Sequence, residues 1–208
     1  MSDGHYFEDD PEIESSPHSV EVTLPDVSLS LTSDRGVFSA DKLDTGTKLL
    51  LLEIPSLVEA TTILDIGCGW GPITCVAARR APQADVWAID VNRRARDLAA
   101  TNAESLGAGD RVHVRAPDDV PDDITFDRIL SNPPIRIGKP ALHDLLLHWL
   151  PRLTTDGVAH LVVQKHLGSD SLATWLEGRG YPTLRLASRA GYRILEVRRT
   201  AIEPGETA

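Results

Sequence analysis

Ile63-Leu64-Asp65-Ile66-Gly67-Cys68-Gly69-Trp70-Gly71 is a short apolar run that ends in an acid and enters a turn with glycine at every second position. Glycine at these places lets the backbone take positive φ and lets a ligand come close. The residues from Gly71 to Arg80 have helical composition. A helix starting there offers unpaired N–H groups to that ligand. Strand, glycine turn and helix in this order open a doubly wound α/β fold, in which the ligand lies over the carboxyl ends of the strands.

The dinucleotide fingerprint is G-x-G-x-x-G. Here the spacing is G-x-G-x-G, and Asp65 stands two residues before the first glycine. Backbone N–H groups stabilise a pyrophosphate, which gains nothing from a neighbouring carboxylate. A ligand with an ammonium group does gain. The turn therefore points to S-adenosylmethionine as cofactor rather than to NAD, with Asp65, Gly67, Gly69 and Gly71 around it.

Outward from this turn the chain alternates. Strands are expected at Thr62–Ile66, Asp85–Ile89, Arg111–Arg115, Phe126–Ser131 and Val158–Gln164. Helices are expected at 71–80, 92–106, 140–153 and 169–178. Thr183–Ser188 and Arg193–Arg198 read as a closing antiparallel pair. This pattern implies a mostly parallel sheet with helices on both faces. Upstream, Val20–Leu24 and Val27–Leu31 alternate around Pro25-Asp26, a hairpin signal. A third short strand is expected at Gly36–Ser39. Asp44 or Thr45 then caps a helix through Glu53. The expected organisation is an acidic flexible tail over 1–19, a hairpin-and-helix extension over 20–60, and a cofactor-binding core over 61–200.

The bulk composition narrows the setting. The chain has 208 residues, a net charge of −10 and two cysteines, too few for a disulfide framework or a four-ligand zinc site. No basic start followed by an apolar run marks a signal peptide. No apolar stretch approaches the ~20 residues that cross a bilayer. The expected location is the cytoplasm, with no membrane and no metal. The acidic balance argues against a general nucleic-acid coat. It is uneven, however. The first 45 residues carry 11 acids against 2 bases, whereas from Arg128 onward 11 bases stand against 7 acids.

Two further motifs carry chemistry. Trp87-Ala88-Ile89-Asp90 places an acid at the end of the next strand, where a carboxylate can accept two ribose hydroxyls. Asn92 is either a second polar contact there or a helix cap. Ser131-Asn132-Pro133-Pro134-Ile135 follows the strand Phe126–Leu130. The prolines fix φ and remove N–H donors, and each residue before a proline is held extended. The rigid turn presents two acceptors, the Asn132 side-chain oxygen and the Pro133 carbonyl, to the two hydrogens of an –NH2 group. Gripping both hydrogens aims the nitrogen lone pair at a sulfonium methyl.

With Asp90, Asp65-x-Gly67-x-Gly69-x-Gly71 and Asn132-Pro133-Pro134 resemble the class I methyltransferases that modify exocyclic or amide nitrogens. His5-Tyr6-Phe7, Gly36-Val37-Phe38-Ser39, Asp44-x-Gly46-Thr47, Asn132 to Lys139 and Gly191-Tyr192-Arg193 are similar, more narrowly, to the small-domain methyltransferases. Among these are the small-subunit rRNA guanine-N2 enzymes and their single-domain archaeal relatives. The resemblance implies a seven-stranded sheet whose last strand is antiparallel, with Phe38, Asp44 and Thr47 shaping the pocket and Thr47 on the cofactor side. It implies catalysis by Asn132, Pro133 and Pro134 on a base in RNA. Phe38, Ile135, Arg136, Lys139 and Tyr192 would meet the substrate, and the protein would be a monomer or homodimer. Many relatives place Tyr or Phe where Ile135 stands, so the stacking platform for a flipped base falls to Tyr192 or Phe38. The usual adenine-contacting Asp or Asn is replaced by Ala116, with Asp118 and Asp119 just beyond. A glutamine-N5 protein methyltransferase and a cofactor-binding module without catalysis are the competing readings.

Overall fold

The computed structural model describes residues 13–200. His5-Tyr6-Phe7 and most of the acidic tail lie outside them. The first two strands, β1 (His18–Thr23) and β2 (Ser28–Ser33), pair antiparallel, with Val20 opposite Leu31 and Val22 opposite Leu29. These four side chains point inward and their neighbours outward, which is the alternation read from the sequence. The third short strand expected at Gly36–Ser39 does not form. Gly36 and Ser39 have φ of 81° and 50°, values that extended backbone excludes. The segment is a turn that exposes Phe38. Helix α1 (Thr45–Glu53) follows, capped by Asp44, whose carboxylate accepts the Thr47 N–H.

The remaining elements are β3 (Thr62–Ile66), α2 (Pro72–Arg80), β4 (Asp85–Ile89), α3 (Arg93–Ser105), β5 (Val112–Arg115), β6 (Phe126–Ser131), α4 (Lys139–Trp149), β7 (Leu153–Gln164), α5 (Ser169–Glu177), β8 (Thr183–Arg189) and β9 (Tyr192–Arg198). Helix α4 ends at Trp149, four residues before the expected boundary. Pro151 cannot donate to a continuing helix, so the chain makes a single tight turn over Leu150–Arg152 and enters β7 directly.

Seven strands form one sheet in the order β5-β4-β3-β6-β7-β9-β8, and only β9 opposes the rest. The winding leaves β3 in one direction through β4 and β5, and in the other through β6 and β7. The switch point therefore lies between β3 and β6. Ile66 is in register with both Ile89 and Ser131. The glycine turn, Asp90 and Asn132 thus leave the sheet side by side.

The sheet is covered on both faces. Val22, Leu31, Leu50, Trp70, Val76 and Ile194 belong to one apolar cluster joining the hairpin, α1 and α2 to the sheet. Phe126, Leu146, Trp149, Leu161, Leu172 and Leu176 belong to the other, under α4 and α5. The hairpin is also held by a polar clamp. The buried Asn102 of α3 accepts the Thr32 N–H at 2.8 Å. Its amide donates to the Thr32 and Trp70 carbonyls, each at 2.8 Å. One side chain therefore pairs with β2 as a neighbouring strand would and ties it to the glycine turn. Asn102→Ala leaves three backbone groups without partners, and we expect it to lower the urea-derived unfolding free energy by about 2 kcal/mol or more.

Candidate active site

A cavity of about 430 Å³ opens at the carboxyl edge of the sheet, between the glycine turn and the Asn132-Pro133-Pro134 turn. Gly67, Gly69 and Gly71 have φ of 72°, 56° and 90°. A Cβ at Gly71 would come to 3.0 Å from the Ala99 backbone, so this position needs glycine for space as well as for φ. The turn is fastened to the end of β4. The Gly67 and Cys68 N–H groups both donate to the Ile89 carbonyl, and the Gly69 N–H donates to Asp90 Oδ2 at 2.9 Å.

Asp90 lines the cavity. One oxygen accepts the Gly69 N–H and the other accepts the Asn92 N–H at 2.9 Å. A lone pair remains on each for the two hydroxyls of a ribose. Burial pushes this carboxyl up, against the pull of its backbone hydrogen bonds. Asn92 also lines the cavity; its oxygen caps α3 through Ala95 and one hydrogen of its amide goes to the Gly36 carbonyl.

Asp65 is completely buried beneath the glycine turn and does not line the cavity. Its Oδ2 accepts the Thr74 hydroxyl at 2.6 Å, and its Oδ1 has no partner among the described residues. Burial pushes its pKa up to about 7, opposed by the Thr74 hydrogen bonds and increased by the Asp90 charge. Cys68 and Cys75 are buried, and burial pushes both thiols up, which suits filler rather than nucleophiles. A nucleoside with a charged amino-acid tail fits this donor set. The fit rests on an orphaned buried carboxylate oxygen, on empty space where a Cβ would sit at Gly67 and Gly69, and on a two-oxygen acceptor at the end of β4.

The other wall is built around Asn132. Its amide nitrogen donates to Asp44 Oδ2 at 2.9 Å and to Thr47 Oγ1 at 3.0 Å. Both amide hydrogens are thereby taken, and the side-chain oxygen is left without a partner among the described residues. The Pro133 carbonyl accepts the Ile135 N–H at 2.8 Å and keeps a second lone pair. Thr47 is buried and holds Asn132 instead of lining the cavity. Gly46 is needed because a Cβ there would lie 2.7 Å from the Tyr192 ring. Tyr192 lines the cavity, with its hydroxyl accepting from Gln164 at 3.0 Å.

Phe38, Ile135 and Arg136 also line the cavity, and Phe38 is 52% exposed. Lys139 is exposed at the start of α4, outside the lining. Pro117 forms the wall next to Ala116, while Asp118 and Asp119 point away into solvent. His143 stacks on Trp175 at 3.7 Å between ring centroids. Among the described residues no group of three His, Cys, Asp or Glu could hold a metal, and no helix is long and apolar enough to cross a membrane. The contacts of Asp44 and Thr47 with Asn132 were not foreseen, because 88 and 85 residues separate the partners. Their only sequence signal is the Asp44-x-Gly46-Thr47 motif itself.

Asp65 gives the fold a pH dependence with a definite sign. An acid whose folded pKa exceeds its unfolded value stabilises the fold at low pH and loses that contribution as pH rises through the folded value. Its contribution is therefore lost between about 4, the ordinary Asp value, and about 7. Burial keeps the His160 ring neutral, which acts in the opposite sense over an overlapping range. The difference between wild type and Asp65→Asn isolates the acid. Thermal melting of the two proteins should show the variant gaining relative stability from pH 4 to 7 and no further change above.

Residues 28–196 match the family described as Methyltransferase small domain. The uncharacterized protein YbxB of Bacillus subtilis is 32% identical over 198 residues, covering 94% of this chain and 98% of that protein. Ribosomal RNA large subunit methyltransferase G of Shewanella oneidensis is 32% identical over 73% of this chain and 42% of its own length. Ribosomal RNA small subunit methyltransferase C of Shewanella sediminis is 31% identical over 74% of this chain and 46% of its own. The chain thus spans less than half the length of these two rRNA enzymes. Among solved structures, the T. thermophilus 16S rRNA N2 methyltransferase (RsmC), in complex with AdoMet and guanosine, superposes with a TM-score of 0.77 at 21% identity, over 91% of this chain and 52% of that one. A ribosomal protein L11 methylase from Lactobacillus delbrueckii superposes with a TM-score of 0.62 at 23% identity, over 78% and 88%. With its glycine cradle, its Asp90 and its tethered Asn132, the chain belongs to the methyltransferase small-domain family and is an S-adenosylmethionine-dependent methyltransferase.

Proposed function

We propose that the protein methylates an exocyclic amino group of a base in ribosomal RNA, namely guanine N2 of the small subunit, in the cytoplasm. The observation that carries this reading is the fixed amide of Asn132. With both its hydrogens held by Asp44 and Thr47, it offers only an acceptor to the cavity. An –NH2 group is the complement of that oxygen and the Pro133 carbonyl together.

When bound, S-adenosylmethionine supplies a methyl group made electrophilic by its sulfonium. The Asp90 oxygens hold the ribose hydroxyls, and the glycine turn, with Asp65 behind it, takes the amino-acid end. Asn132 and Pro133 accept the two amine hydrogens, so the nitrogen lone pair is aimed before reaction. Such positioning replaces an entropic cost of the bimolecular step. Phe38 is the stacking platform for the base, because its ring is exposed at the cavity wall while Tyr192 is held against Gly46 and by Gln164. Arg136 and Lys139 contact RNA phosphates, which position the substrate without reading sequence. In domain terms, residues 61–200 are the methyltransferase core, 20–60 an extension that completes its pocket, and 1–19 an acidic tail.

A glutamine-N5 protein methyltransferase is the second reading, since a carboxamide nitrogen presents the same two hydrogens to the Asn132 oxygen. Ile135, where an aromatic would flank the target, favours it less. A cofactor-holding module without catalysis is opposed by the completed Asn132 tether.

Two measurements test the proposal. Mass-spectrometric nucleoside analysis of rRNA from a deletion strain should show the loss of one N2-methylguanosine relative to the parent. Unchanged nucleosides contradict the RNA reading. Asn132→Ala should abolish methyl transfer while calorimetry shows S-adenosylhomocysteine still binding with wild-type affinity. Loss of both would contradict the role given to Asn132.

A further inference from the structure

We propose that Asp44 takes the proton that the target nitrogen loses on methylation. This rests on the N-methyltransferase reading above and adds a residue to it. When the nitrogen lone pair forms the N–CH3 bond, the S–CH3 bond breaks and its electron pair stays on sulfur. The nitrogen then carries one hydrogen too many for a neutral product. That proton needs an acceptor within hydrogen-bond reach or across one water.

Among the described residues, the titratable groups on the cavity wall are Asp44, Asp90, Arg136 and Tyr192. Arg136 has no lone pair to offer. The Tyr192 oxygen already accepts from Gln164. Asp90 sits at the end of β4, with each oxygen on a backbone N–H. Asp44 stands against Asn132 itself. Its Oδ2 accepts from both Thr47 N and Asn132 Nδ2, and its Oδ1 has no partner among the described residues. One oxygen thus orients the amide that grips the amine; since the Asn132 and Pro133 oxygens hold both amine hydrogens, the one that leaves passes to the other Asp44 oxygen, on the cavity wall, across one water. The charged and titratable groups that share the cavity wall with it are Asp90, Arg136 and Tyr192, whose ring lies against Gly46; Asp41, Lys42 and Lys48, its neighbours in sequence, are exposed.

The test compares single-turnover rates against pH for wild type, Asp44→Asn and Thr47→Val on an RNA that the wild type methylates. Asparagine keeps an oxygen for Thr47 and Asn132 and is itself a good helix cap. We expect Asp44→Asn to be about 10²-fold slower, with unchanged KM for RNA and unchanged S-adenosylhomocysteine affinity by calorimetry, and with the acidic limb of the profile gone. Thr47→Val should be slower but keep that limb. Wild-type rates in Asp44→Asn, an acidic limb that survives in it, or cofactor-product affinity falling in step with its rate would each overturn the proposal. A wild type active on a glutamine peptide and not on rRNA overturns the substrate reading alone. The same comparison is then read on the peptide, whose nitrogen also sheds a proton.

Discussion

The amide of Asn132 is planar, with two donors at one end and an acceptor at the other, and a half-turn about its terminal bond would present the wrong end to an amine. Two oxygens prevent that turn: Asp44 Oδ2 and Thr47 Oγ1 take both hydrogens, and both belong to the first turn of α1 and its cap. The acceptor end is then the one left facing the ligand. The position of α1 follows from its own packing, since Leu49, Leu50 and Leu51 are buried in the core beneath the sheet. Gly46 leaves the space in which the Tyr192 ring lies. The segment before the sheet is for these reasons a wall of the pocket, joined to the Asn132-Pro133-Pro134 turn by hydrogen bonds to the Asn132 side chain.

The opposite wall depends on a carboxylate that the protein finds costly to bury. Asp65 lies wholly inside with one oxygen unpaired, and Asp90, also pushed up by burial, adds its charge nearby. Groups perturbed in this way collect at functional sites because a ligand relieves what the fold alone does not. The glycine turn is meanwhile held by Ile89 and Asp90, so the cradle has its shape before anything enters it.

On the substrate side the chain departs from the aromatic-after-proline pattern. Ile135 contributes an apolar surface without a π face, and the exposed aromatic at the cavity comes from Phe38, in a turn that the hairpin delivers. Ser39, with φ of 50°, helps to make that turn. The clamp of Asn102 on Thr32 and Trp70 keeps the hairpin beside the glycine turn and thereby fixes where Phe38 can reach.

The local elements were legible in the sequence. Most strands and helices, the positive-φ glycines at 67, 69 and 71 and the rigid double proline follow from interactions within a few residues, and of the two caps read for α1, Asp44 or Thr45, Asp44 is the one that forms. Helix α4 ended early because Pro151 outweighed its apolar stripe, and Gly36–Ser39 turned instead of extending because alternation over four residues is a weak signal beside two positive φ angles. The carboxyl-edge position of the three motifs was also implied, since strands of a doubly wound sheet end there. What the sequence could not contain was pairing at a distance. That Thr47 serves Asn132, that Asn92 turns to Gly36, and that Asp65 lies under the cradle instead of on its surface depends on sheet register and helix packing among residues far apart in the chain. Sequence sets which groups are available and how each segment bends; only the folded sheet brings their atoms within the 3 Å at which a hydrogen bond chooses its partner.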